Sequence, residues 1–261
     1  MMPPEVCLPI RLAVAAVPGK TLAPPAGLRF QGRARRAGPD MLRLYHVPLC
    51  PYSRKVRVAL REKQLVFELV EVQPWAAEDW FLALNPAAEA PVLVDDDLVI
   101  CDSAAIEEYL EEGHPETTLF GRSLQQRAET RRLVAWFDSK LAREVTDPLW
   151  REKVVKRWKR AGFPSSDALR RGAQAIRLHL AYIDWLWQER KWLAGDQLSM
   201  ADIAAAAHLS VLDYLGDVPW AEFPGAREWY AKMKSRPSFR PILADRVVGI
   251  APPAHYDDPD F

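Results

Sequence analysis

Leu49-Cys50-Pro51-Tyr52-Ser53-Arg54-Lys55-Val56-Arg57 follows a short apolar run, Leu42 to His46, and opens a segment of helical period that extends to Lys63. A strand feeding a helix in this way sets the Cys50 thiol at the helix N-terminus. There, unpaired backbone N–H groups and the macrodipole favour negative charge, so the thiolate is expected to form more readily than in a free cysteine. Cys50 is therefore a candidate nucleophile or thiol-binding residue; the competing reading is a small buried hydrophobe. Ser53 stands where a dithiol motif has its second cysteine. A Cys-x-x-Ser arrangement can hold or attack a thiol, but it has no resolving partner.

Working outward, Val66 to Val72 reads as a second strand and Trp75 to Leu84 as a short helix. Pro91 to Ile100 reads as a hairpin turning on Asp95-Asp96-Asp97. Ser103 to Glu111 is the next helix, with Asp102 or Ser103 at its N-cap. Strand, helix, strand, helix, hairpin, helix is the order of a thioredoxin-like domain, assigned to 41–112. Residues 113–122, with Gly113, Pro115 and Gly121, read as a linker.

Strand signals stop beyond it, and 123–246 reads as an all-helical domain. Ser123 and Gln126 form a capping box opening a helix to about Arg143, Ser166 caps a long helix reaching about Arg190, and Ser199 with Asp202 caps an Ala-rich helix to about Leu215. That last helix has few polar residues and is expected to be buried all round, His208 included. The tryptophans at helical spacing, such as Trp136, Trp185 and Trp187, read as core or interface residues.

The composition bounds the function. The chain has 261 residues, 49% hydrophobic and 27% charged, enough for one large or two small domains with true cores. Lys+Arg and Asp+Glu are equal at 35 each, so any basic surface is local and nucleic acid is not indicated. The three cysteines Cys7, Cys50 and Cys101 have neither a disulfide framework nor zinc spacing, so no metal is expected and a reducing compartment fits best. No run approaches the roughly 20 apolar residues of a membrane span. Residues 1–40, rich in Pro, Ala and Arg and poor in acids, are expected to be disordered, or else an over-extended reading frame ahead of a natural start at Met41.

Two stretches have the character of interaction elements. Arg151, Lys153, Lys156, Arg157, Lys159 and Arg160 concentrate positive charge in a neutral chain, with Trp150 and Trp158 interleaved. Such a pairing suits an acidic protein surface, the alternative being a solvated helix face. The tail, 247–261, contains Pro252, Pro253 and Pro259 and no helical period. It reads as an extended recognition arm presenting His255, Tyr256 and Phe261, or as an arm that packs over its own domain.

In combination, Cys50-Pro51-Tyr52-Ser53, Asn85 to Pro91, Asp102-Ser103 and Ser199 to Asp202 resemble the glutathione S-transferase superfamily over about Met41 to Arg246. The resemblance implies the two-domain fold of that family, α/β then all-α. It further implies a glutathione site in which Cys50 faces the sulfur, Ala90 before a cis Pro91 pairs with the tripeptide backbone, and Asp102 and Ser103 hold its γ-glutamyl end. Ala88, Ala90 and Asp102 depart from the glycine, valine and glutamate usual in the family, so glutathione is expected as a possible ligand, with no cofactor required. The run Ala204 to Trp220 and the tail Asp245 to Phe261 resemble a division-associated branch of the superfamily. That resemblance implies a cytoplasmic homodimeric scaffold at the division site that binds and curves FtsZ filaments and signals through its tail to septal wall synthesis. The other reading is a glutathione-dependent transferase or thiol lyase with Cys50 as catalytic residue.

Overall fold

The computed structural model describes residues 41–258. The expectations for 1–40, and for Phe261 as a tail contact, lie outside the described residues. No helix within them is long and apolar enough to cross a membrane.

The N-terminal half is a four-stranded mixed sheet. β1 (Leu42–His46) lies centrally, parallel to β2 (Phe67–Glu71) and antiparallel to β3 (Val92–Asp95), which pairs in turn with β4 (Leu98–Cys101). Leu44 faces Leu69 on one neighbour and Leu93 on the other. The alternation along β1 sends Leu42 and Leu44 to one face, where they meet Val56 and Leu60 of α1 (Pro51–Glu62) and Ile106 and Leu110 of α3 (Ser103–Gly113). Between β2 and β3 the expected helix is split. A 3₁₀ turn, Pro74–Ala76, is followed by α2 (Asp79–Leu84), because Ala77 adopts φ +50° and Glu78 is extended.

The second half is helical. α4 (Leu124–Ala135) starts at the Ser123–Gln126 capping box. It continues without a break through a wide π-type stretch (Trp136–Thr146), α5 (Asp147–Trp150), a second π-type stretch (Arg151–Val155) and α6 (Lys156–Trp158). The expected stop near Arg143 does not occur. Pro148, which signals a helix end in sequence, follows directly on a stretch whose ladder has already left the i→i−4 register. The basic residues therefore lie on the far end of this helix, not in a separate segment. α7 (Ser166–Glu189) is capped by Ser165, one residue ahead of the expected cap.

α8 (Met200–Tyr214) is buried along its whole length, as its composition requires. Asp202 repays its burial by accepting from Ser199 N–H (3.0 Å), Ser199 Oγ (2.8 Å), Leu193 N–H (2.9 Å) and Trp229 Nε1 (3.0 Å). α9 (Pro224–Lys234) and α10 (Arg240–Leu243) close the helical half. The two halves meet where α1 lies against α8, so the helix that starts at Cys50 is also the one on which the domains are joined.

Candidate functional site

Cys50 is the N-cap of α1, and Pro51 fills the first helical position. Its thiol is buried and directed at the carbonyl of Ala90, 3.8 Å away, directly before the cis Ala90–Pro91 bond. Burial pushes the thiol upward, against the hydrogen bonds offered by Ser53 and Tyr52. The expected readily formed thiolate is thus corrected: desolvation outweighs the helix N-terminus. Ser53 is fully buried, and its hydroxyl accepts from Val47 N–H at 3.2 Å, tying the strand end to the helix start. Of the other residues expected at a glutathione site, exposed Asp102 (φ +75°) caps α3 by accepting from Ala104 N–H at 2.7 Å, while Ser103 is buried in the first turn.

Aromatic side chains from both halves cover this region. Trp75, missed as a site residue in the sequence, stacks on Trp158 of α6 with centroids 4.9 Å apart and planes at 19°. Trp150 meets the other side of Trp158 edge-on at 6.3 Å. All three pack against the cluster formed by Val47, Cys50, Val72, Phe81 and Val92. Trp158, read as a partner contact, thus spends its face on the chain's own Trp75. The paired Trp75 and Trp158 are 83 positions apart, and no local pattern announces them.

Beneath the thiol, α1 carries three buried cations that sequence reading left unassigned. Arg54 places all five of its N–H donors: on the Pro48 carbonyl, Ser210 Oγ, Tyr256 Oη, the Ile242 carbonyl and Asp245. Arg57 grips Asp245 with both of its terminal nitrogens at 2.7 and 3.0 Å. Lys55 bridges Glu107 of α3 and Asp138 of the π-type stretch. Burial pushes Glu107 upward against the pull of Lys55; Asp138, also penalised by burial, is held down by Lys55 and His208. His208, expected as a satisfied core histidine, contacts Asp138 at 3.3 Å and Thr146 at 3.0 Å. No local signal in the sequence points to these cations: Arg54, Lys55 and Arg57 lie with Arg61 and Glu62 on a 12-residue helix whose composition reads as amphipathic with a solvated face.

The six cations of the basic stretch separate into two groups. Arg151, Lys153 and Lys156 are paired with Asp147, Asp217 and Glu152. Arg157, Lys159 and Arg160 are exposed, and among the described residues no acidic side chain pairs with them. Of the positive charge that the sequence concentrates in this stretch, a three-cation cluster at the helix end is left without an acidic partner among the described residues.

The tail is corrected more strongly. Residues 247–258 are bound to the chain's own surface, which is the second of the two arrangements read from the sequence. Tyr256 is fully buried, stands edge-on to Tyr214 at 5.1 Å and accepts from Arg54 at 3.1 Å, so it is a core residue and not a surface contact. His255 is half-buried against the carboxylate of Asp213 at 2.9 Å. Lys234 donates to the carbonyls of His255 and Asp258, and Arg246 grips Asp257 with two contacts of 2.7 Å. An arm without helical period stays ordered because the domain supplies its hydrogen-bond partners.

With this geometry in hand, the known proteins are informative. Residues 44–118 match the family model of the glutathione S-transferase N-terminal domain, and 167–237 that of the C-terminal domain. FtsZ-localized protein A of Caulobacter vibrioides is 54% identical over 222 residues, covering 84% of this chain and 97% of that protein. A crystal structure of a glutathione S-transferase from Rhodospirillum rubrum F11 superposes with a TM-score of 0.83 at 56% identity, covering 85% of this chain and all of the other. The structure of FzlA from C. crescentus gives 0.82 at 53% identity with the same coverage.

Proposed function

The chain belongs to the glutathione S-transferase family, and from that premise we propose that it is a non-catalytic member acting in cell division: a homodimeric scaffold at the division site that binds FtsZ filaments, favours their curvature and signals to septal wall synthesis. One observation carries this reading, the 54% identity to FtsZ-localized protein A over 222 residues, 84% of this chain and 97% of that protein. The site supports it. A thiol held upward by burial, aimed at the chain's own Ala90 carbonyl and roofed by Trp75, Trp150 and Trp158 is poorly arranged to meet a peptide thiol. Glutathione is therefore not required, and the inherited cleft acts as a packing surface between the domains.

Two measurements on the full chain test the reading. The protein is expected to pellet with polymerised FtsZ, and to leave glutathione unconsumed in the presence of a chloronitrobenzene electrophile. Absence from the pellet, together with glutathione turnover that Cys50→Ala abolishes, would reverse the conclusion in favour of a cysteine-type transferase or thiol lyase.

A further inference from the structure

The cationic helix end and the tail, separated by some ninety positions, form one surface. Gly249 lies so close to Arg157 that a Cβ added there would stand 2.3 Å from the guanidinium, and its φ of +77° also favours glycine. The turn Val247–Ile250 is thus laid against α6, pinned by Tyr214, whose hydroxyl accepts from Val247 N–H at 3.0 Å and donates to the Ile250 carbonyl at 2.7 Å. The loop after α6 also folds back along the helix: Lys156 reaches the Phe163 carbonyl at 3.5 Å and Glu152 accepts from Ser165 N–H at 2.6 Å. Each of these two turns presents a large apolar side chain to solvent. Phe163 and Val248 are each 95% exposed, the highest values of any large apolar residue described. At the helix end that both turns contact are Arg157, Lys159 and Arg160, exposed and without an acidic partner among the described residues.

We propose that this surface, Phe163 and Val248 with Arg157, Lys159 and Arg160, is a docking site for an acidic linear segment of a partner protein that also carries aromatic or aliphatic side chains. Charge complementarity identifies the occupant: three cations with no acidic partner among the described residues, in a chain of zero net charge, select a negative segment, and the apolar tips select side chains to desolvate. Arg157 is held by the Gly249 turn, which lowers the entropy lost on docking. A lipid surface is less well matched, since three cations fall below the cluster of about four to eight typical of a membrane-binding basic segment. The assignment of FtsZ as the source of the segment rests on the division reading; the surface itself does not.

The test uses the full chain and three variants: Phe163→Ser with Val248→Ser, the charge reversal Arg157→Glu with Lys159→Glu, and Arg171→Glu on the exposed face of α7 as control. All altered side chains are solvent-facing, and unchanged urea midpoints verify folding. The probe is a random copolymer of glutamate and tyrosine. Binding by the wild type and control, weakened at least about tenfold in the other two variants and by a rise from about 50 to 300 mM salt, supports the surface. No binding by the wild type, or equal binding by all four proteins, overturns it. Flotation of the wild type with phosphatidylserine vesicles, stronger than copolymer binding and lost in both variants, overturns it in favour of a membrane. The same proteins are then spun with polymerised FtsZ. Pelleting lost in the same two variants makes FtsZ the source of the segment, and pelleting by all four overturns the surface as the FtsZ contact. A wild type that binds copolymer but never pellets with FtsZ defeats the division reading and upholds the surface.

Discussion

Tyr256→Phe removes one oxygen atom and tests whether the tail belongs to the core. The ring remains, and with it the edge-on contact to Tyr214 at 5.1 Å, so no cavity opens. What is lost is the acceptor for one N–H of Arg54, a guanidinium fully out of water whose other four donors keep their partners. A hydrogen bond to a charged buried group contributes about 1.5–3 kcal/mol, and here the orphaned donor cannot recruit bulk water. For a chain of this size the urea dependence is about 3 kcal/mol per molar, so the unfolding midpoint of the full-length protein is expected to fall by about 0.5–1 M. Tyr256→Ala adds loss of the ring and costs about 3–5 kcal/mol. A tyrosine on a free recognition arm would instead give a change within about 0.5 kcal/mol. A Tyr256→Phe midpoint within about 0.1 M of wild type refutes the docked tail and the Arg54 hub together.

Other outcomes follow from the same coordinates. Lys55→Met removes the buried cation that Glu107 and Asp138 share, and urea titration is expected to show a loss of about 3–5 kcal/mol. In a Cys7→Ser, Cys101→Ser background, Cys50, pushed upward by burial, is expected to react with a soluble disulfide reagent at pH 7.5 far more slowly than a free thiol and to reach the free rate in denaturant; fast labelling of Cys50 in the folded protein contradicts the closed site. Glu129 is held at about 2 by the hydrogen bonds of Arg132, with Arg190 adding to them. A depressed carboxylate contributes stability above its unfolded value, near 4.5, and loses it as pH falls toward about 2. Stabilities of wild type and Glu129→Gln are therefore expected to differ at pH 6 and to converge across that window; a difference independent of pH refutes the assignment.

The local chemistry of the chain was legible without coordinates because its signals act over a few residues. The Ser123–Gln126 and Ser199–Asp202 boxes satisfy orphan N–H groups within one turn, β-branched runs mark the strands, and Pro91 in its Ala-rich loop marks the turn before β3. Combined in order, these elements carried the family. The wide-turn helix from Leu124 to Trp158 was not legible, since Pro148 is an ordinary stop signal whose effect depends on the ladder register ahead of it. Nor was the state of Cys50: a helix N-terminus lowers a thiol, burial raises it, and only the tertiary packing around Cys50 decides which is larger.

The amino-acid sequence alone determined the two-domain organisation, the position of the thiol at a helix start, the caps and the place of the basic stretch, because each depends on neighbours within about ten residues. Tertiary structure alone decided that Arg54, Lys55 and Arg57 are inside and Arg157, Lys159 and Arg160 outside, that Tyr256 is core, and that the tail turn lies beside the cationic helix end. Charge and aromaticity are properties of a residue; whether they face water, a counter-ion or another ring is a property of what the fold brings from far along the chain. That is why six like charges in one stretch became three paired cations and three without an acidic partner among the described residues.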